Sequence, residues 1–249
     1  MRRPFLTLSI AAVGIGLAAA VTQARSPAIE SASLLERTYS GSVVNDDERE
    51  GIRRAIRSRE GTYISEILRA RDSTLARWRD RNGKPLRVWI QGTSRVVDWN
   101  VRYVFEVHNA FVAWDTLSLP VRFQIVVDSA KADVHVTWID RFSEPISGRT
   151  RWARDENYWI TDASIMLAVH HRTGEILEDD AMHAMALHEV GHLLGLDHTS
   201  DPSSVMAPKV RVRSLSDADR ETAKFLYSLP AGCIGASSAA CNRTFASGR

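Results

Sequence analysis

The chain has 249 residues, 25% of them charged and 44% hydrophobic, with a formal net charge of +2. That length supports one good core with at most a small second segment, and the composition is that of an ordinary globular protein. No basic block or aromatic-basic stripe points to nucleic acid, and the charge excess is too small to argue for an acidic partner.

At the N-terminus, Arg2 and Arg3 precede an apolar run from Phe5 to Val21, followed by the small-residue context Thr22-Gln23-Ala24. This pattern predicts a signal peptide over residues 1–24, cut after Ala24. An uncleaved anchor is the alternative, but the run is short for a membrane span. Cleavage would remove both arginines and bring the net charge from +2 to about 0. No later segment is apolar enough to cross a bilayer, so we expect no stable membrane insertion after cleavage. The chain would then be secreted, periplasmic or extracellular.

Residues 25–83 form a second segment. Asp46 to Arg59 is charge-rich, with Ile52 and Ile56 at helical spacing. From Thr62, the positions of Tyr63, Ile64, Ile67, Leu68, Leu75 and Trp78 predict helix up to Arg79, ended by Asn82-Gly83 and Pro85. The segment reads either as a propeptide or as a part packed permanently on the main domain.

That main domain is expected over residues 84–229. Leu86 to Ile90 alternates like a strand, and Asp98 to Trp114 has helical periodicity. Val121 to Val127 and Val134 to Ile139 are β-branched runs that read as strands. Arg141 to Tyr158, with Pro145 and Gly148, reads as irregular. Ser164 to Val169 is another predicted strand, and Thr173-Gly174 a turn. Asp179 or Asp180 is expected to cap the next helix. On that helix Leu187, Val190, Gly191 and Leu194 form a core stripe. His183 falls on the buried side, as a structural residue rather than a ligand. A last helix is expected from Ser216, its cap, to about Ser228, with Asp217 and Asp219 in the first turn. The tail, residues 230–249, is rich in Gly, Ala and Ser. It contains Cys233 and Cys241, the chain's two cysteines, which an oxidising compartment would join in a small loop and a reducing one leave free.

The chemistry concentrates in His188-Glu189-Val190-Gly191-His192-Leu193-Leu194-Gly195-Leu196-Asp197-His198. Four residues on a helix amount to about 40° of rotation and about 6 Å of rise, so the imidazoles of His188 and His192 leave one face together. Glu189 lies one step round, beside that face, where a general base is useful. Gly195 is suited to the positive φ of a helix end, after which His198 can supply a third nitrogen. Three protein ligands leave a fourth tetrahedral position open, the arrangement of a catalytic zinc site.

This pattern resembles the signature of the metzincin metallopeptidases, which carry a methionine turn after it. Ser204-Val205-Met206-Ala207-Pro208 is the candidate turn. The upstream stretches Asn109 to Trp114, Leu119 to Phe123 and Ala132 to Val136 are similar to the matrixins within that clan. The resemblance implies an α/β (α+β) fold: a twisted mixed β-sheet with three main helices, here with a helical N-terminal segment added. It also implies one catalytic Zn²⁺ on His188, His192 and His198, with Glu189 as the base and Met206 as an apolar floor beneath the metal. The expected activity is hydrolysis of peptide or protein substrates by an exported zinc endopeptidase. The alternative is a catalytically silent zinc-binding interaction module on the same fold.

The resemblance implies further details. In the metzincins a sheet edge before the active helix holds the substrate, which here suggests the strand at Ser164 to Val169. Matrixin propeptides often plug the zinc with a cysteine, and residues 25–83 contain none, so any zymogen would be held by other means. Thr199 stands where matrixins typically have Ser, and Ala207 where many metzincins have Tyr. Structural zinc or calcium is left open: His170 and His171 are candidate ligands without a matching spacing, and Asp155, Glu156 and Asp162 form no recognisable calcium loop. Arg211 and Arg213, beyond the turn, suggest a preference for acidic side chains after the scissile bond.

Overall fold

Alternation of apolar and polar side chains builds the sheet. In a computed structural model that describes residues 46–235, β3 (Leu86–Ile90) buries Leu86, Val88 and Ile90 and leaves Arg87 in solvent. The strand β5 (Val134–Ile139) buries Val134, Val136 and Trp138 in the same rhythm, and β7 (Trp159–Ala168) buries Ile160, Ala163, Ile165 and Leu167. These strands run parallel, β3 pairing with β5 and β5 with β7. At the far side of β3 lies β4 (Phe123–Ile125), also parallel and largely exposed, a shorter strand than the run from Val121 to Val127 suggests.

The stretch expected to be irregular holds a strand. β6 (Gly148–Arg154) runs antiparallel along β7, from Gly148 opposite Leu167 to Arg154 opposite Ile160. Its sequence, Gly-Arg-Thr-Arg-Trp-Ala-Arg, buries only the glycine, so it carries no alternation to read. With β5 on one side and β6 on the other, β7 is not a sheet edge. The outer strand is β6, and the edge expected at Ser164 to Val169 moves there.

Two long helices, α3 (Arg102–Asp115) and α4 (Asp179–Leu193), cross under the sheet. Phe111 and Trp114 of α3 are fully buried, each contributing about 2–3 kcal/mol of hydrophobic stabilisation. Polar atoms in this layer find backbone partners: Trp114 Nε1 donates to Leu187 O at 2.9 Å and Tyr103 Oη to Leu177 O at 2.6 Å. The cap of α4 is Glu178, without a side-chain bond. Asp179 and Asp180 lie in the first turn and pair instead with Arg102 and Arg213. The third helix, α5 (Asp217–Ser228), starts at Ser216 in a full capping box with Asp219. Its Ala223, Leu226 and Tyr227 face inward. Helices and mixed sheet together match the expected fold class.

The N-terminal segment joins the same core. Helix α1 (Asp46–Ser58) buries Ile52 and Ile56, and α2 (Ile64–Ala70) buries Ile64 and Ile67. The helix predicted to run to Arg79 stops at Ala70, because Asp72 and Ser73 take φ of 48° and 61°, left-handed values that end it. Leu75 and Trp78 are buried as strand residues instead. β1 (Thr74–Leu75) pairs with β8 (Gly232–Cys233), and β2 (Arg77–Trp78) pairs with the start of β7. Trp78 Nε1 donates to Leu193 O at 2.9 Å, tying this segment to the end of α4. Residues 1–24 and Cys241, the expected partner of Cys233, lie outside the described residues. Among the described residues no helix is long and apolar enough to cross a membrane.

Candidate active site

Helix α4 brings His188 and His192 to one face, and the turn after it returns His198. The turn is possible because Gly195 has φ of 98° and sits against the backbone carbonyl of Ala76, where a Cβ would collide. Nε2 of His192 is 3.0 Å from that of His188 and 3.3 Å from that of His198, and the third side of the triangle is also 3.3 Å. The centre of that triangle is about 1.9 Å from each nitrogen, and a point just off its plane meets the zinc–nitrogen distance of about 2.0–2.1 Å. The other ring nitrogens point away. His188 Nδ1 donates to Val205 O at 2.7 Å and His192 Nδ1 to Leu196 O at 3.1 Å. That tautomer leaves lone pairs on both Nε2 atoms, facing the third imidazole.

Burial favours the uncharged rings. It pulls His188 down to about 4, and burial together with the neighbouring His188 pulls His192 down to about 3. Neutral nitrogens converging at this spacing repel one another unless a cation sits among them, so the donor set fits zinc. Among the described residues this is the one cluster of three His, Cys, Asp or Glu side chains able to hold a metal.

Glu189 is buried beside the histidines, with 3% of its surface exposed. Desolvation pushes its carboxyl up to about 7, against the downward pull of a hydrogen bond from Thr150. The Thr150 hydroxyl lies 2.6 Å from Glu189 Oε2 and 2.9 Å from the Glu189 carbonyl oxygen. Gly148, two residues earlier on β6, packs flat on the same carboxylate: a Cβ there would strike Oε1 and come within 2.7 Å of Cγ. Neither Gly148 nor Thr150 was legible as a site residue, since both lie in the stretch read as irregular.

The methionine turn closes the site from below. Met206 is fully buried, and its thioether fills the space where a Cβ on Gly191 would sit, between His188 and His192. Two successive backbone carbonyls of the turn hold the site: Val205 O takes the His188 proton and Met206 O accepts from Thr199 N at 3.1 Å. Asp219, completely buried, secures this turn. It accepts from Val205 N at 3.1 Å, from the Ser204 hydroxyl, from Tyr63 Oη at 3.1 Å and from Ser216 N at 2.8 Å. The sequence marked Asp219 only as a first-turn acid; its second task reaches 14 residues back, which no local pattern shows.

His188, Glu189, His192 and His198 floor a cleft of about 440 Å³ between β6 and the stretch Pro208 to Val210, a size that takes one or two peptide side chains. Arg211 and Arg213 do not line it, and Arg213 is paired with Asp180, so the expected acidic preference loses its basis. Three other histidines are outside the cluster of converging nitrogens. His170 is buried, Nδ1 2.7 Å from Asp140 and Nε2 3.1 Å from Asp98. His171 is exposed and lines the cleft. His183 pairs with Glu106, in keeping with a structural role.

Comparison with known proteins agrees with this geometry. Part of the chain is 31% identical over 133 residues to Metalloendoproteinase 1-MMP of Arabidopsis thaliana, covering 46% of this chain and 33% of that protein. It is 29% identical over 89 residues to Metalloendoproteinase 1 of Glycine max, covering 34% of this chain and 27% of that one. The chain therefore spans about a third or less of the curated relatives it matches. The family model of the matrixins, peptidase family M10, matches residues 82–228, more than half of the sequence and all three imidazoles, and the chain belongs to the matrixin family.

Proposed function

We propose that this protein is an exported zinc-dependent endopeptidase, with His188, His192 and His198 as the metal ligands and Glu189 as the general base. The observation that carries the reading is the convergence of three Nε2 atoms beside one buried carboxylate, on the floor of a cleft bordered by an outer strand. Zinc bound there lowers the pKa of water to about 7 and polarises a carbonyl oxygen.

The protein's own groups supply the rest. A peptide added antiparallel to β6 would be held by backbone hydrogen bonds, with its side chains sorted by the cleft wall at Pro208 to Val210. As water attacks the carbonyl carbon, Glu189 accepts its proton. As the carbon–nitrogen bond breaks, Glu189 delivers that proton to the departing amine. Thr150 and Gly148 hold the carboxylate in line for both transfers. Export rests on the signal-like run before Arg25, and Met206 serves as the apolar floor of the metal site.

Hydrolysis of a mixed peptide pool tests the reading. Thorough chelation should abolish cleavage and added zinc should restore it. Cleavage that persists without metal would overturn the proposal.

A further inference from the structure

Residues 46–78 precede the span that matches the matrixins, yet one of their side chains reaches the metal-ligand loop. Arg71, just past α2, directs its whole guanidinium there. Nε donates to Asp197 Oδ2 at 2.7 Å, Nη1 to Gly195 O at 2.9 Å and Nη2 to Leu196 O at 2.9 Å. Its opposite face lies over the Trp152 ring of β6, 5.3 Å from the centroid.

Two of the three acceptors lead to a ligand. Leu196 O is the same oxygen that takes the Nδ1 proton of His192, so Arg71 fixes the carbonyl that orients that ring. The other oxygen of Asp197 accepts the backbone N–H of His198 at 2.8 Å, so Arg71 also fixes the carboxylate that holds the third ligand's backbone. On the far side of His198, Glu66 of α2 accepts from the Thr199 hydroxyl at 3.0 Å and from Ser200 N at 2.8 Å. His198 itself is exposed, and the loop that bears it, though otherwise largely buried, forms no helix or strand of its own. Without these contacts it would carry a larger ordering cost each time metal binds.

We infer that residues 46–78 are a built-in brace of the metal site rather than a removable segment, with Arg71 as the positioning residue that sets His192 and His198 for zinc. The inference rests on the zinc reading of the three histidines, but not on catalysis. It takes the second of the two roles open to this segment, permanent packing on the domain.

The test is zinc affinity by chelator competition on the full chain, alongside thermal melting. Groups that orient metal ligands typically contribute 10–100-fold to affinity. Arg71→Gln should weaken zinc binding by that factor. Arg71→Lys, which keeps the charge but loses the three-pronged geometry, should fall between it and the parent. Arg59→Ala serves as the control: it breaks a pair with Glu221 that ties the same segment to α5 away from the site, at 2.9 Å, and should leave zinc affinity unchanged. If Arg71→Gln fails to fold, Arg71→Lys and Glu66→Ala carry the test, each expected to lower affinity several-fold. Parent-like affinity in the folded Arg71 variants would overturn the inference, as would an equal loss in Arg59→Ala. So would an active secreted form whose mass places its N-terminus after Arg71; a start at or before Asp46 is expected. A parent chain that binds zinc but cleaves nothing would sink the peptidase proposal and leave the brace testable, whereas a cleaving parent with unchanged Arg71 variants would sink the brace alone.

Discussion

Gly148→Ala isolates the contact between the outer strand and the base. The added Cβ would come within 2.7 Å of Glu189 Cγ and 2.8 Å of Cδ. Ordinary carbon–carbon contact is about 3.5–4.0 Å, so something must move by about 0.8 Å or more. Glu189 is buried, and the obstructed group is the carboxylate proposed as the base. A displacement of this size at a reacting group costs up to about 100-fold in rate, or about 2.7 kcal/mol of barrier. If the carboxylate yields, kcat should fall; if β6 yields, KM should rise with it, because the strand proposed to bind peptide has shifted. The assay is steady-state cleavage of one peptide substrate, with zinc content and melting temperature measured on the same preparation. We expect kcat/KM to drop by about 10–100-fold with one zinc retained. A variant with parental kcat and KM would refute the idea that Gly148 is reserved for the base.

Other substitutions test other parts of the frame. Asp219→Ala removes the shared acceptor of Tyr63, Ser204, Val205 and Ser216; with about 1–3 kcal/mol for each buried donor left unpaired, not fully additive, urea denaturation should show a loss of about 3–5 kcal/mol. A loss below about 1 kcal/mol would show that the buried network is dispensable. Gly191→Ala drives a methyl group into the Met206 thioether and the Trp114 ring, and overpacking of that kind should cost about 1–3 kcal/mol in the same assay. Unchanged stability would place the methionine elsewhere. For pH, Arg87 holds the Asp133 carboxyl below its usual value. A depressed folded-state pKa contributes stability above the unfolded value of about 3.9 and loses it as pH falls through the folded one. Arg87→Ala should therefore be less stable than the parent at pH 7, with the gap closing below about pH 4. A gap that stays constant down to acid pH would remove Asp133 as its source.

Particular residues show why some of this molecule was legible in sequence and some was not. Strands β3 and β5 announce themselves because one face is buried and the other wet. His188, Glu189 and His192 do so because helix geometry converts spacing into direction, and Ser216 because its capping partner is three residues away. Arg151 and Arg154 hide β6, since a strand at the rim of a cleft has little apolar surface to bury. Asp72 and Ser73 break a helix whose period Leu75 and Trp78 continue, because residues buried in two short strands also fit a helical count by accident. Thr150 meets Glu189 across 39 residues and Arg71 meets Asp197 across 126, contacts fixed only when sheet and helices assemble.

The central assertion is that one carboxylate moves the proton at a site made by three imidazoles. Glu189→Gln, assayed for bound zinc and for peptide cleavage in one sample, tests it most directly. We predict one zinc per chain and cleavage reduced by at least about 100-fold, the lower bound for a general base. Full zinc with parental cleavage would contradict the account.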